Sequence, residues 1–255
     1  MEQKSGRSLQ DATNNPMNGG VSDPSARMKE AAGRAAADDL VKSGMKLGLG
    51  TGSTAIHAIR RVGELIERGI LSGISAFATS FQSEIECEKL GIPFYPLNSR
   101  ELAGGLDLTI DGADEVDPQN RLIKGGGGAL LIEKIAAYNS SSFAIVVDES
   151  KITGSLGTGF PVPVEVIPEA RVSAGRALEA LGAAVTLREA VRKAGPVITE
   201  HGNLILDIRF AAPVDPVVME REISYIPGVA ENGFFTRIRP VVYIARLDGS
   251  IEVRK

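Results

Sequence analysis

The chain has 255 residues, of which 43% are hydrophobic and 24% charged, and its formal net charge is -4. That length can bury a sizeable core in one large domain or two modest ones, and an acidic balance without basic runs argues against nucleic acid or anionic lipid as a partner. One cysteine (Cys87) and two well-separated histidines (His57, His201) exclude a disulfide framework and leave no zinc cluster, so no metal is expected and a reducing, cytoplasmic setting is.

No segment is apolar for long enough to span a membrane, and no charged start followed by an apolar block marks a secretory signal. Residues 1–27 are rich in Asn, Gly, Ser, Asp and Gln and nearly devoid of apolar side chains, so they are expected to be a disordered extension. They include Met17 and end beside Met28, which leaves an overlong start assignment open; acidic residues and scarce arginine speak against a transit peptide.

Periodicity then predicts a helix over Met28 to Ser43, a strand at Lys46 to Leu49, a helix over Ser53 to Arg68 and a strand at Ser75 to Thr79. A helix over Gln82 to Leu90 follows, with strands near Pro93 to Tyr95 and at Leu106 to Ile110, a helix at Ala129 to Tyr138 and a strand at Ser142 to Val147. Strands alternating with helices call for a doubly wound, mostly parallel α/β sheet with helices on both faces. Beyond Lys151 the texture changes: a strand at Val162 to Ile167, a helix at Ala170 to Leu181, strands at Ala184 to Arg188 and Leu204 to Phe210, and a helix at Pro216 to Ser224. This run resembles a smaller ferredoxin-like α+β lobe, and strands at Val241 to Arg246 and Ile251 to Arg254 can return to the first sheet. The expected division is 28–160 with 232–255 as one α/β domain and 161–231 as the lobe.

Three segments carry chemistry. Gly48-Leu49-Gly50-Thr51-Gly52-Ser53-Thr54 joins an apolar strand to a helix start, where glycines admit a ligand and free amides favour an anion such as phosphate. The bland alternative is a tight turn capped by Ser53 or Thr54. No lysine completes a Walker loop, and Thr79-Ser80-Phe81 stands where a dinucleotide site would place its ribose-binding acid, so nicotinamide chemistry is disfavoured.

The second segment, Asp111-Gly112-Ala113-Asp114-Glu115, falls at the carboxyl end of a strand, where open α/β sheets hold their ligands. Its acids suit a divalent metal, cations or sugar hydroxyls, and an acidic turn without function is also allowed. The third, Lys124-Gly125-Gly126-Gly127-Gly128-Ala129-Leu130-Leu131-Ile132-Glu133-Lys134, sets four glycines before a helix. Ordering them is entropically costly, which points to a backbone passing close to a ligand.

Together, in this order and spacing, G-x-G-T-G-S-T, D-G-A-D-E and K-G-G-G-x-A-L-x-x-E-K resemble the signature set of the type A ribose-5-phosphate isomerase family, as does Phe160 to Pro168. The resemblance covers Met28 to Lys255. It implies an aldose-ketose isomerase that interconverts ribose 5-phosphate and ribulose 5-phosphate through an enediolate in the non-oxidative pentose phosphate pathway, without metal or organic cofactor, as a homodimer or dimer of dimers. It also implies site roles: Glu133 as the proton carrier, Asp111 with Lys124 in ring opening and Asp114 on sugar hydroxyls. Thr51, Gly52, Ser53, Thr54, Gly112, Ala113, Gly125, Gly126, Gly127, Lys29 and Lys151 are implied as substrate or phosphate contacts. Gly128 and Ile132 depart from common family residues, the second altering the polarity beside Glu133.

A sugar-phosphate-sensing effector domain of the same superfamily is the alternative reading, but it calls for a DNA-binding module that residues before Met28 are too polar to form. A related lactonase or amino-sugar phosphate deaminase calls for a catalytic histidine, and neither His57 nor His201 adjoins a motif. His57 is expected to be a packed or surface residue, Cys87 an inert thiol flanked by Glu86 and Glu88, and Tyr138, Phe234 and Phe235 core or interface residues.

Overall fold

The computed structural model describes residues 23–255. Helix α1 (Pro24–Leu40) starts ahead of the expected Met28 because Asp23 accepts a hydrogen bond from the Ser25 N–H and Pro24 takes the first helical position. The expected disorder of 1–27 is therefore corrected for residues 23–27, and the rest of that segment lies outside the described residues.

Next come β1 (Lys46–Leu49), α2 (Ala55–Glu67), β2 (Ser75–Ala78), α3 (Phe81–Leu90) and β3 (Leu106–Asp111). The strand expected near Pro93 to Tyr95 is reduced to one bridge between Ala76 and Phe94, since Pro93 and Pro96 bracket it and neither has an N–H to extend a ladder. The strands β4 (Glu115–Val116) and β5 (Leu122–Ile123) are too short to show any alternation in sequence. The chain continues through α4 (Leu130–Tyr138), β6 (Ser140–Asp148), β7 (Val162–Val166), α5 (Arg171–Ala180), β8 (Ala183–Leu187), β9 (Leu204–Phe210), α6 (Pro216–Ser224), β10 (Val229–Asn232), β11 (Phe234–Phe235), β12 (Val241–Ala245) and β13 (Ile251–Arg254).

The main sheet has the order β13-β12-β6-β3-β1-β2, parallel except at β13. Its two faces read directly off β6. Ala144 and Val146 pack with Leu47, Leu49, Ile110 and the inner faces of α1 and α2, while Phe143, Ile145 and Val147 pack with Ala137, Phe235 and the small sheet β11-β5-β4. Each fully buried Leu or Ile contributes about 1.5–3 kcal/mol, so the core is what holds the strand ends in register. A second sheet, β10-β7-β9-β8, is wholly antiparallel, and with α5 and α6 it makes the ferredoxin-like lobe.

From β1 the chain moves to β2 on one side, then crosses back to β3 on the other. That reversal puts a topological switch point at the carboxyl ends of β1 and β3, where a crevice opens.

Candidate active site

Three loops meet at this crevice: 50–54 after β1, 112–114 after β3 and 124–128 after β5. The cleft is about 110 Å³ and is lined by Thr51, Gly52, Ser53, Thr54, Gly112, Ala113, Asp114, Lys124, Gly125, Gly126, Gly127, Glu133 and Lys151. The parallel order of β1, β3 and β6 brings together residues 51–54, 112–114 and 151, and the antiparallel β4–β5 pair adds the loop at 124–128.

The loop after β1 runs hard against β3. A Cβ on Gly50 would lie 2.1 Å from Asp111 Oδ1 and 2.6 Å from Asp111 Cα, so only glycine fits there. Asp111 Oδ1 accepts the N–H groups of Thr51 (3.1 Å) and Gly112 (2.7 Å), tying two of the loops to one buried carboxylate. Thr54 sits at the N-cap position of α2 but makes no capping bond, and the amides of Ser53, Thr54 and Ala55 have no acceptor among the described residues. Free amides at a helix start favour an anion.

Lys124 is the centre of the charge arrangement. It is 2% exposed, donates to Gly112 O at 2.7 Å, and stands 2.9 Å from Asp111 Oδ2 and 3.1 Å from Glu133 Oε2. Those two carboxylate oxygens are buried and lie at ion-pair distance without completing a hydrogen bond. Burial alone would lower the Lys124 pKa, but Asp111 and Glu133 more than offset it and keep the ammonium charged. Burial raises Asp111 against the pull of Lys124, and raises Glu133 likewise, to about 8. Glu133 is therefore a carboxyl poised to exchange a proton near neutral pH, its Oε2 facing the Lys124 ammonium without a completed hydrogen bond.

Asp114 Oδ2 accepts the Gly126 N–H at 2.7 Å, which joins the second loop to the third. Gly125 has φ +104°, and a Cβ there would lie 2.9 Å from Leu130 Cβ, so the turn into α4 also requires glycine.

Two of the expected site residues are placed differently. Asp111 is completely buried beneath the cleft and does not line it; it acts on the site through Lys124 and the loop amides. Lys29 lies on α1, where it lowers the pKa of His57 electrostatically, and it is not among the residues lining the cleft. Thr51 directs its hydroxyl at Thr79 and Ser80 (2.8 and 2.6 Å), so it supports the loop more than it offers a donor.

His57 is half-buried on α2, its pKa lowered by burial and by Arg60, and it does not reach the cleft. Cys87 is buried, and burial with Glu86 and Glu84 pushes its thiol up to about 12, so it is inert. Phe234 and Phe235 are core residues, and Tyr138 meets Phe235 edge-on at 6.1 Å. Sequence reasoning missed Arg188, which reaches the glycine loop from the second lobe, and Asp207, which holds its guanidinium. Only a motif linking 125 to 188 could have signalled them, and none exists.

Among the described residues, no helix is long and apolar enough to cross a membrane, and no group of three His, Cys, Asp or Glu is arranged to hold a metal ion.

A family model described as ribose 5-phosphate isomerase A (phosphoriboisomerase A) matches residues 75–249. Ribose-5-phosphate isomerase A of Treponema denticola is 56% identical over 211 residues, covering 82% of this chain and 88% of its own. The protein of the same name from Synechococcus sp. is 46% identical over 234 residues, covering 91% and 99%. Among solved structures, ribose 5-phosphate isomerase A from Methanocaldococcus jannaschii aligns with a TM-score of 0.83 at 41% identity, over 89% of this chain and 98% of that one. A D-ribose-5-phosphate isomerase in complex with phospho-erythronic acid aligns with a TM-score of 0.84 at 39% identity, over 89% and 97%.

Proposed function

The chain belongs to the ribose 5-phosphate isomerase A family, and from that premise we propose how its residues carry the reaction. It is an aldose-ketose isomerase that interconverts ribose 5-phosphate and ribulose 5-phosphate in the pentose phosphate pathway. The observation that carries the residue assignment is the buried row Asp111–Lys124–Glu133, whose last two members open onto the cleft.

The furanose ring opens when a proton leaves the anomeric hydroxyl, another reaches the ring oxygen and the C1–O bond breaks. The Lys124–Asp111 pair serves this step, with Lys124 the member that faces the sugar. Glu133 then removes the C2 proton; the C–H electrons form the C1–C2 double bond, and negative charge moves to the C1 oxygen. The Lys124 ammonium and the Gly127 amide stabilise that oxygen, the Gly126 and Gly128 amides being taken up by Asp114 and by Gly125 O. Glu133 returns the proton to C1 while the C2 hydroxyl passes its own to the C1 oxygen, which leaves a C2 carbonyl and a C1 hydroxyl, the ketose. Asp114 holds sugar hydroxyls, and the amides of 53–55 with Ser53, Thr54 and Lys151 hold the phosphate.

Phospho-erythronic acid, the ligand of the similar structure, supports this reading. Its carboxylate is a planar carbon bearing two oxygens, a stand-in for the enediolate, and its phosphate stands in for that of the substrate. We also read the enzyme as cytoplasmic and as a homodimer or dimer of dimers. The lone buried Cys87 and the exposed apolar Phe81 and Ile85 support those two parts respectively.

The direct test is incubation of the purified protein with ribose 5-phosphate while following ribulose 5-phosphate. Folded protein that makes none would shift the reading to a sugar-phosphate-sensing domain.

A further inference from the structure

The glycine loop that faces the substrate is held from behind by a residue of the other lobe. Arg188 directly follows β8, and its backbone is pinned on both sides: its N–H donates to Ile205 O, and its carbonyl accepts from the Val197 N–H, both at 2.9 Å. Asp207 on β9 grips the guanidinium bidentately, taking Nε at 2.8 Å and also Nη2. The remaining terminal nitrogen, Nη1, donates to Gly125 O at 2.9 Å and to Gly126 O at 3.1 Å. The side chains of Arg188 and Asp207 are only 15% and 20% exposed.

Each of those carbonyls belongs to a peptide plane whose N–H points the opposite way, because the bond is trans. Fixing Gly125 O toward the lobe turns the Gly126 N–H toward Asp114 Oδ2, which it meets at 2.7 Å. Fixing Gly126 O turns the Gly127 N–H to the cleft side, where it has no acceptor among the described residues. Consecutive glycines would otherwise sample many orientations of those planes, and a donor aids a developing oxyanion only if it is already aimed.

We propose that Arg188, locked by Asp207, is a positioning residue that aims the Gly127 amide at the reacting end of the sugar phosphate. It deepens the isomerase reading above and rests on it. Arg188 does not touch the substrate; its effect passes through the peptide planes it holds. Lysine is a poor substitute, since a single ammonium cannot serve a bidentate carboxylate and two carbonyls in one plane.

The test compares wild type with Arg188→Met, Arg188→Lys and Asp207→Asn. Wild-type turnover of ribose 5-phosphate comes first, because its absence would refute the isomerase reading and not this one. In an active background, Arg188→Met should lower kcat about tenfold or more with KM changed far less, as expected for a small misplacement of catalytic donors. Arg188→Lys should recover part of the loss. Inhibition by phospho-erythronic acid should weaken in parallel with kcat, whereas inhibition by inorganic phosphate should not change, because phosphate occupies only the far end of the cleft. A purely structural role would lower the melting temperature and leave kcat per folded molecule alone. If Arg188→Met does not fold, Asp207→Asn, which leaves the arginine in place but loosens it, decides the matter. A folded Asp207→Asn enzyme with kcat and phospho-erythronic acid inhibition within twofold of wild type would overturn the proposal, as would the same result for folded Arg188→Met.

Discussion

Lys124 Nζ lies 3.1 Å from Glu133 Oε2, with both side chains no more than 5% exposed. A cation held against a buried carboxyl keeps part of the Glu133 population ionised where burial alone would neutralise it. If Glu133 carries the proton between C2 and C1, Glu133→Gln should reduce kcat about a hundredfold or more while KM moves little. The wild type should also incorporate solvent deuterium at the transferred position, and the variant should not. Near-normal turnover by Glu133→Gln would sink the mechanism.

The same pair sets a pH dependence. A base works in its ionised form, and burial raises Glu133 to about 8, so kcat/KM should climb with pH through the neutral range and level off above it. Lys124 pulls that pKa down, so removing its charge in Lys124→Met should displace the rising limb to higher pH as well as slow the reaction. A pH profile of kcat/KM for both proteins checks this. A wild-type limb at the ordinary glutamate value of about 4.3 would contradict it.

Phosphate contacts are made alike in ground and transition states, so their loss should fall on KM. Lys151→Ala should raise KM by about tenfold to a hundredfold, the range for one charge-assisted contact, and Ser53→Ala by less. Steady-state kinetics with kcat retained is the expected outcome. An unchanged KM with a collapsed kcat would place these residues elsewhere in the mechanism.

Gly50→Ala tests the join between the first two loops. The new methyl would lie 2.1 Å from Asp111 Oδ1, so the carboxylate must move off the Thr51 and Gly112 amides. Overpacking of this kind costs about 1–3 kcal/mol, and kcat should fall with it as Lys124 loses its partner. Thermal unfolding and turnover should both report the change; a variant with wild-type values in both would show that the contact is not needed.

Chelation is expected to leave activity intact. The position between Asp111 and Glu133 where a divalent ion would be attracted is already filled by the Lys124 ammonium. Activity lost in EDTA and restored by a divalent ion would reverse this expectation.

The local chemistry of this protein is legible in the chain itself. The strand at Leu106 to Ile110 and the helices that follow the two glycine turns are set by neighbouring residues and are present. Thr109, however, is buried where alternation would expose it, and the helices begin at Ala55 and Leu130, slightly later than Ser53 and Ala129. Short-range signals mislead only where they are weak. The helix began at Pro24 and not at Met28 because a cap outweighs an apolar periodicity, and the strand between Pro93 and Pro96 failed for want of donors. What the tertiary structure decided is which side of each residue faces the cleft. Asp111 and Asp114 belong to one five-residue motif, yet the pleat and the turn after β3 bury the first under Lys124 and leave the second on the wall of the site. Arg188, 63 residues from Gly125 in sequence, reaches the loop only through the packing of the two lobes. Propensities and spacing act over a few residues, whereas burial, desolvation and the aiming of a peptide plane arise only once distant segments share the same space.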